Sequence, residues 1–260
     1  MNLSNPTDRI PKSSKILIAV CMSGHAGCWR TAVQNIKWFF EYRHLHPIHN
    51  LTIEIHYFIH TLNTETDKAD IEIEFKPKII ENEEYDNGKF LTEEEAMFYS
   101  LEKCLSFKRE YELTNSIQYD VVVKSQLDTV YNPSMRFPLD RVLPKFCYTS
   151  NISTYPKDFN YFNFDNTIFY GDSATMDLVG DIYNLYLLHR NNPAEETTLD
   201  ADRLLYYSPG CLLYAHIVDS GIHPECKKNI EYAIVKETAV QEKLSGIQDY
   251  AEIKQLWKKI

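Results

Sequence analysis

The 260-residue sequence predicts an α/β fold: one domain with a mostly parallel central sheet flanked by helices. Short aliphatic and β-branched runs, typical of strands buried on both faces, alternate with longer segments whose apolar residues recur at helical spacing. The chain opens with strand, loop, helix and strand, a unit that pairs its strands in parallel through a right-handed crossover. No repeat or linker interrupts this order. We therefore expect a flexible tail over residues 1–14 and a single domain over residues 15–260.

The elements of the first half follow from these patterns. Aliphatic runs predict strands at residues 15–21 and 51–60, and a helix is predicted between them at residues 29–44. In residues 71–75, isoleucine and phenylalanine alternate with glutamate, which predicts a short strand with one solvent-exposed face. A long helix is predicted over residues 93–113.

The second half is predicted to contain two strands, one long irregular segment and three helices. In chain order these are residues 119–128, 131–165, 167–171, 173–188, 208–221 and a final helix around 250–257. The irregular segment 131–165 is rich in proline, asparagine and aromatic residues, and long loops of this kind are usually functional. Ser208 and Pro209 form a favourable helix start, and Gly221 is a plausible stop.

Charge and cysteine content narrow the function classes. The formal net charge is −10 and there is no block of lysine or arginine, which argues against broad binding to nucleic acid. The six cysteines form no CxxC pair, and the Cys21, His25 and Cys28 cluster lacks the second ligand pair of a structural zinc site. No apolar run approaches the roughly 18 residues of a membrane span, and residues 1–8 lack a signal-peptide core. We therefore predict a cytoplasmic protein with free thiols and no membrane span.

The most informative segment is residues 119–128, which read Tyr-Asp-Val-Val-Val-Lys-Ser-Gln-Leu-Asp. A strand buried on both faces here runs directly into the carboxylate of Asp128. In open α/β sheets, ligands bind beyond the carboxyl ends of the strands. Asp128 is therefore placed where a nucleotide, a metal ion or a reacting sugar would lie, with a capping role in a turn as the alternative.

The loop after the first predicted strand contains two glycines, in the order Ser23-Gly24-His25-Ala26-Gly27. Glycines at a strand end let backbone amides approach a phosphate or a base. This loop matches neither GxGxxG nor GxxxxGK[ST], and the chain contains no GxSxG motif. Redox enzymes with a dinucleotide fingerprint, P-loop kinases and α/β-hydrolases are therefore disfavoured.

Four histidines are candidates for a functional role. His56 and His60 lie at even spacing on one predicted strand and so share a face, but no carboxylate stands at a fixed spacing from them, which disfavours a catalytic metal site. His216 lies on an apolar helix and is expected to be a packed core residue. His25 lies in the glycine loop, where a hydrogen bond to a base, ribose or phosphate is plausible.

The whole pattern resembles a family of small nucleotide-sugar glycosyltransferases with a GT-A-like, and hence Rossmann-like, fold. The resemblance rests on short motifs between about residues 15 and 222: Ser23-Gly24-His25, Phe58-Ile59-His60, the Lys124-Ser125-Gln126-Leu127-Asp128 strand end, and Asp165-Asn166 followed by Gly171 and Met176. Members often read Arg-x-Arg-x-Asp at the third motif. They often carry Pro-Glu where this chain has Pro209-Gly210, so no role of that glutamate is carried over.

The resemblance implies transfer of a sugar from a nucleotide-sugar donor, such as a UDP-sugar, to an acceptor hydroxyl. The acceptor classes are a glycan, a lipid-linked sugar or a hydroxylated nucleobase of DNA. In GT-A enzymes an Asp-x-Asp element holds a divalent cation, Mn²⁺ or Mg²⁺, on the donor diphosphate. Here Gln126 replaces the first Asp, so Asp128 is the implied metal ligand, and Lys124 or Arg136 can supply further positive charge.

The resemblance also assigns roles to individual residues. The implied donor-binding residues are Ser23, Gly24, His25, Lys124 and Gln126. Asp128 and Asp165 are the implied catalytic carboxylates. An inverting transfer requires a general base on the acceptor side, and Asp165 is the first choice because it precedes a strand and fits the family pattern. Glu195, Glu196 and Asp200, in a charge-rich loop, are the alternative bases.

Two further functions stay open at this stage. A non-catalytic α/β protein that binds a nucleotide sugar is favoured by Gln126, which replaces a metal-binding carboxylate. A nucleotidyltransferase shares the sheet and the metal–diphosphate chemistry, but it normally has more than one carboxylate at the strand end. A DNA acceptor would be favoured by a basic face formed by Lys103, Lys108 and Arg109.

Overall fold

The computed structural model describes residues 15–24, 26–27, 29–41, 52–62, 68–84, 89–90, 92–132, 135, 137–138, 142–154, 162–191, 209–227 and 230–234. The predicted final helix around residues 250–257 lies outside the described residues. So do five of the residues considered for the site: His25, Arg136, Glu195, Glu196 and Asp200.

Eleven strands and six helices lie within the described ranges. The strands are β1 (Lys15–Gly24), β2 (Thr52–Leu62), β3 (Ile79–Glu83), β4 (Val121–Ser125), β5 (Thr129–Tyr131), β6 (Phe146–Thr149), β7 (Ile152–Thr154), β8 (Phe162–Phe164), β9 (Phe169–Gly171), β10 (His223–Cys226) and β11 (Tyr232–Ile234). The helices are α1 (Trp29–Glu41), α2 (Lys68–Phe75), α3 (Glu93–Asn115), α4 (Ser173–Gly180), α5 (Ile182–Asn191) and α6 (Pro209–Asp219). None of these helices is long and apolar enough to cross a bilayer.

Seven strands form one sheet in the order β10-β6-β9-β4-β1-β2-β3. Strands β1, β2, β3 and β4 pair in parallel, and β6 pairs with β10 in parallel. Only β9 among these seven runs in the opposite direction, because it pairs antiparallel with both β4 and β6. The prediction of an α/β domain with a mostly parallel central sheet is therefore confirmed.

Helices cover both faces of this sheet. Alternate residues of β1 divide between two apolar cores: Ile18, Val20 and Met22 pack with α1 and α2, whereas Ala19 and Cys21 pack with α3, α4 and α6. Burial of β1 on both sides explains its continuous aliphatic run, which is the pattern expected of a central parallel strand.

The predicted strand at residues 71–75 is wrong, because this segment belongs to helix α2. Ile71 and Phe75 are four residues apart and therefore share one helical face, where both are buried. Ile73 points away from that face and is 70% exposed. A strand does follow, at Ile79–Glu83 on the sheet edge, but only its first two residues are apolar, which is too short a run to predict a strand.

Two other boundaries differ from the prediction. The segment 131–165, predicted to be irregular, contributes β6 to the central sheet and a β7–β8 hairpin. The helix predicted at 173–188 is instead two helices, α4 and α5, separated at Asp181. Gly180 precedes this break and packs against α3, where an added Cβ would lie 3.1 Å from Leu105 Cδ1.

A buried ionic cluster joins α3 to α4. Lys108 is fully buried, and its Nζ donates hydrogen bonds to Glu112 Oε2 at 2.9 Å, Ser173 Oγ at 2.6 Å and Asp177 Oδ1 at 2.7 Å. Glu112 Oε1 also accepts a 2.8 Å hydrogen bond from the backbone N–H of Tyr119, just before β4. The cluster thus fixes the entry of the chain into the central strand.

We expect the Lys108→Met variant to be strongly destabilised, by about 3–5 kcal/mol, because it leaves buried carboxylates without their cation. Lys37→Met is a matched control, since Lys37 forms a 2.8 Å ion pair with Glu74 near the surface and should cost about 1 kcal/mol or less. Urea unfolding followed by circular dichroism measures both free energies of unfolding. Equal losses for the two variants would contradict the structural role given to Lys108.

Candidate functional site

The carboxyl edge of the sheet holds the predicted site residues that lie within the described ranges: Ser23, Gly24, Lys124, Gln126, Asp128 and Asp165. Strands β1, β2, β3, β4, β6 and β10 all end at this edge, and the antiparallel β9 begins there. Met22 of β1 pairs with Ser125 of β4. The next residues of the two strands, Ser23 and Gln126, therefore lie side by side. The edge is the position at which α/β sheets of this kind bind ligands.

Asp128 lies in the tight turn between β4 and β5 and is half-buried. The chain after this turn is held by Asn35 of α1, whose Oδ1 accepts the Tyr131 N–H at 2.6 Å and whose Nδ2 donates to the Tyr131 carbonyl at 2.9 Å. The phenol of Tyr131 lies 2.6 Å from Ser125 Oγ, which closes the turn. The direction of the chain around Asp128 is therefore fixed by buried polar contacts.

Two buried hydroxyls at this edge, Ser23 Oγ and Thr129 Oγ1, have no hydrogen-bond partner among the described residues. Buried hydroxyls are rarely left in this state, because an unmade hydrogen bond costs the desolvation of the group. Gly24 follows Ser23 with φ of +110°, a conformation that favours glycine. Its N–H donates to Ser100 Oγ at 2.9 Å, which anchors the end of β1 to α3.

Lys124 lies inside the protein, with 1% of its surface exposed. Its Nζ donates to the carbonyl oxygens of Asn166 and Thr167, the second at 3.3 Å. Burial lowers the Lys124 pKa to about 8, and the negative charges of Asp165 and Asp128 partly oppose this change. Lys124 is thus not a surface lysine at a strand end, because it ties β4 to the segment that carries Asp165.

Asp165 is held by donors from three parts of the chain. Its carboxylate accepts hydrogen bonds from Ser150 Oγ, from the Thr167 N–H at 2.9 Å and from the Tyr232 hydroxyl, which lies 2.7 Å from both oxygens. Burial and the Asp165 charge raise the pKa of Tyr232 far above its usual value, so the phenol stays a donor. These three donors fix the orientation of the carboxylate and occupy most of its roughly four lone-pair sites, which leaves little capacity for an acceptor hydroxyl.

A second group of ligand-type side chains lies at the same edge, at the ends of β2 and β3. His60, Glu81 and Glu83 each offer one nitrogen or oxygen atom, and these three atoms lie within 4.8 Å of one another. The three residues could hold a metal ion. Although burial opposes ionisation of Glu83, hydrogen bonds from Lys89, Tyr99 and His60 lower its pKa to about 2, so this carboxylate is charged at neutral pH.

This group is not apparent from the sequence, because β3 lacks the apolar pattern that would predict a strand. His60 pairs directly with Glu81 across the parallel β2–β3 ladder, and Glu83, two residues on, faces the same side. The alternating Glu81-Asn82-Glu83 pattern was the available signal. Asp128, the predicted metal ligand, belongs to no such group of three within the described ranges.

Two of the other candidate histidines, His56 and His216, have structural partners. His56 Nδ1 lies 2.6 Å from the Tyr119 hydroxyl, and its Nε2 lies 2.7 Å from Glu54 Oε1. His216 is buried, and its Nε2 donates to the Leu178 carbonyl at 2.8 Å, which confirms the prediction of a packed core residue.

Comparison of the chain with models of protein families and with curated protein sequences gives no match.

The buried ammonium of Lys124 predicts a specific dependence of stability on pH. Its folded-state pKa of about 8 lies below the ordinary value of 10.5, so between these pH values the unfolded chain binds more protons than the folded one. The free energy of unfolding of the wild type, relative to Lys124→Met, should therefore rise from pH 8 to above pH 10, by on the order of 3 kcal/mol. Urea unfolding of both proteins across this range tests the sign. A difference that does not change with pH would show that the charge of Lys124 is not penalised in the fold.

Proposed function

We propose that this protein is a glycosyltransferase that transfers a sugar from a nucleotide-sugar donor to an acceptor hydroxyl. The observation that carries the proposal is the convergence of Asp128, Lys124 and Asp165 beside Gly24 at the carboxyl edge of the sheet. This combination offers a positive charge near a diphosphate, together with carboxylates for a metal ion or an acceptor. The GT-A-like domain is part of the same proposal.

On the donor side, the proposed residues surround the end of β1 and β4. Ser23, Gly24 and His25 would contact the nucleotide, with the buried Ser23 hydroxyl as a donor that has no partner among the described residues. Gln126, half-buried beside this loop, would contact the donor as well. Lys124 would not contact the donor directly, since its Nζ is hydrogen-bonded to backbone carbonyls. Its positive charge would still attract the donor diphosphate through the protein.

The residues present fit a divalent cation only in part. Asp128 is a half-buried carboxylate that would hold Mn²⁺ or Mg²⁺ as a single protein ligand, so most of the coordination would come from phosphate oxygens and water. When bound, such a cation would neutralise charge on the departing diphosphate. The Lys124 ammonium already supplies part of that charge, so the proposal does not depend on the cation.

On the acceptor side, Asp165 remains the proposed general base, with Glu195, Glu196 and Asp200 as alternatives. Its three donors hold the carboxylate in one orientation, which favours a positioning role unless the acceptor displaces Tyr232 or Ser150. This feature supports the second candidate function, a protein that binds a nucleotide sugar without transferring it. A nucleotidyltransferase has less support, since Asp128 is the only carboxylate in the described turn after β4.

The acceptor we propose is a glycan or a lipid-linked sugar rather than DNA. The basic face of residues 103–109 that would favour a DNA acceptor loses its central member, because Lys108 is buried with two carboxylates. Arg109 is paired as well, with its Nε 3.3 Å from Asp177 Oδ1. A nucleic-acid acceptor would need positive charge from elsewhere in an acidic chain.

We further propose that the protein works in the reducing cytoplasm. Cys21, Cys104, Cys147 and Cys211 are buried free thiols, and Cys226 is a half-buried free thiol. Free thiols of this kind are typical of proteins from reducing compartments.

A panel of nucleotide sugars separates the candidate functions. For a glycosyltransferase we expect a rise in melting temperature with one donor class among the UDP, GDP, CMP and TDP sugars, and slow donor hydrolysis with or without Mn²⁺. A thermal shift without hydrolysis or transfer would favour the binding protein. No shift with any of these donors would sink the glycosyltransferase proposal.

Asp128→Asn tests the central residue. The variant keeps the shape of the side chain and removes its charge, so donor hydrolysis and transfer should fall by about 100-fold or more. Asp120→Asn is the matched control, because Asp120 lies at the opposite end of β4, where its Oδ2 accepts the Leu17 N–H at 2.8 Å. Unchanged turnover in Asp128→Asn would remove Asp128 from the site, and equal losses in both variants would point to a general effect on folding.

A further inference from the structure

The ends of β2 and β3 form a second cluster of polar side chains, separate from Asp128. His60 is fully buried, and its Nε2 lies 3.2 Å from Glu83 Oε1. Glu81 is half-buried next to His60 and forms no hydrogen bond or salt bridge with any of the described residues. Two carboxylates thus face one buried imidazole, and one of them lacks a described partner.

The second ring nitrogen of His60, Nδ1, is hydrogen-bonded to Ser100 of α3. Its Nδ1 lies 2.8 Å from Ser100 Oγ, which also accepts the Gly24 N–H and lies 3.2 Å from the His60 carbonyl oxygen. When the Ser100 hydroxyl donates to that carbonyl, Nδ1 carries the proton and Nε2 presents a lone pair to the carboxylates. A histidine ligand to a metal is typically oriented by this kind of hydrogen bond from its second nitrogen.

Glu83 is supported in the same way. Lys89 Nζ lies 2.6 Å from Oε2, whereas Oε1, the oxygen nearer His60, accepts a 2.7 Å hydrogen bond from the Tyr99 hydroxyl. A carboxylate oxygen has two lone pairs, so Oε1 can accept this bond and still bind a cation. Lys89 and Tyr99 would then hold the carboxylate without occupying its ligand position.

The buried hydroxyl of Ser23, which lies beside His60 on the neighbouring strand, is independent evidence for a ligand at this cluster. It pairs with His60 in the β1–β2 ladder, and His60 pairs with Glu81, so the three residues face the same side of neighbouring strands. Ser23 is 3% exposed, and its hydroxyl has no hydrogen-bond partner among the described residues. A water or hydroxide bound to a cation beside His60 would supply that partner.

We propose that His60, Glu81 and Glu83 bind one divalent transition-metal ion of the zinc class. An imidazole nitrogen favours Zn²⁺ and Co²⁺ over Mg²⁺ and Ca²⁺, which prefer sites made of oxygen ligands alone. Three protein ligands leave a coordination position open for water, as in many catalytic zinc sites. The site lies two strands from β4, about 10 Å from the strand that leads to Asp128, and its existence does not rest on the proposed glycosyltransferase function.

Metal binding at His60 would also affect the end of β1 at Gly24. The ion would fix the ring of His60, His60 contacts Ser100, and Ser100 holds the N–H of Gly24 at the end of β1. The bound ion would therefore stabilise the conformation of Gly24 without contacting it.

The test uses the full-length protein, stripped of metal with a chelator and titrated with Zn²⁺ and Co²⁺. We expect one equivalent to bind, with visible d–d absorption bands for Co²⁺ and a higher melting temperature, and much weaker binding of Mg²⁺. Glu81→Gln should weaken Zn²⁺ binding at least about tenfold, since it removes a ligand. This substitution breaks no hydrogen bond with the described residues, so its fold should be preserved.

Two variants complete the experiment. Glu84→Gln is the matched control, because Glu84 is the exposed carboxylate next to the cluster and should leave Zn²⁺ binding unchanged. Lys89→Met should weaken Zn²⁺ binding, since it removes the hydrogen bond that holds Glu83 in its ligand position. If stoichiometric Zn²⁺ binding is not seen, or if Glu81→Gln and Glu84→Gln bind Zn²⁺ equally well, the proposal is overturned, and a proton shared between His60 and Glu83 explains the geometry instead.

Discussion

The reversed direction of β9 within a sheet that is otherwise parallel is the constraint on which the candidate site depends. Because β9 is antiparallel to β4 and β6, the segment that leads into it arrives at the carboxyl edge, where the parallel strands end. Asp165 is thereby brought to the same edge as Asp128 and Gly24. A parallel β9 would have carried Asp165 to the opposite edge, more than a strand length away.

Two buried lysines stabilise this arrangement, one near the start of β4 and one at its end. Lys108 joins α3 to α4 and, through Glu112, fixes the start of β4. Lys124, at the end of β4, binds the carbonyl groups before β9. Each ammonium is removed from water, which is unfavourable by itself, so each is balanced by carboxylates or backbone carbonyl oxygens. The central strand is therefore anchored at both ends by a buried lysine.

The two proposed sites share one edge and are joined through the backbone of Gly24. On one side, Ser23 and Gly24 lie beside the β4 end that leads to Asp128. On the other side, Gly24 is bound by Ser100, which contacts His60 of the proposed metal site. A metal ion at His60 and a nucleotide at Ser23 and Gly24 would therefore act on the same short segment of β1, which would couple their binding without a shared ligand.

By itself, the sequence determined the α/β class, the parallel β1–β2 unit, the long helix α3, and the placement of Asp128 after a buried strand. These features depend on local periodicity and on burial of both strand faces, and both determine which positions of a segment are apolar. The sequence did not determine α2, where Ile71 and Phe75 fit either period, nor β3 and β6, which are short and partly polar.

Only the tertiary structure decided the environment of each charged side chain. It buried Lys124 and Lys108, surrounded Asp165 with donors from Ser150, Thr167 and Tyr232, and placed Glu81 and Glu83 beside His60. These contacts join residues from different strands and helices, often far apart in the chain, and a pattern read along one strand or helix contains no information about its partner. The chemistry of the site is therefore a property of strand order and direction rather than of any local motif.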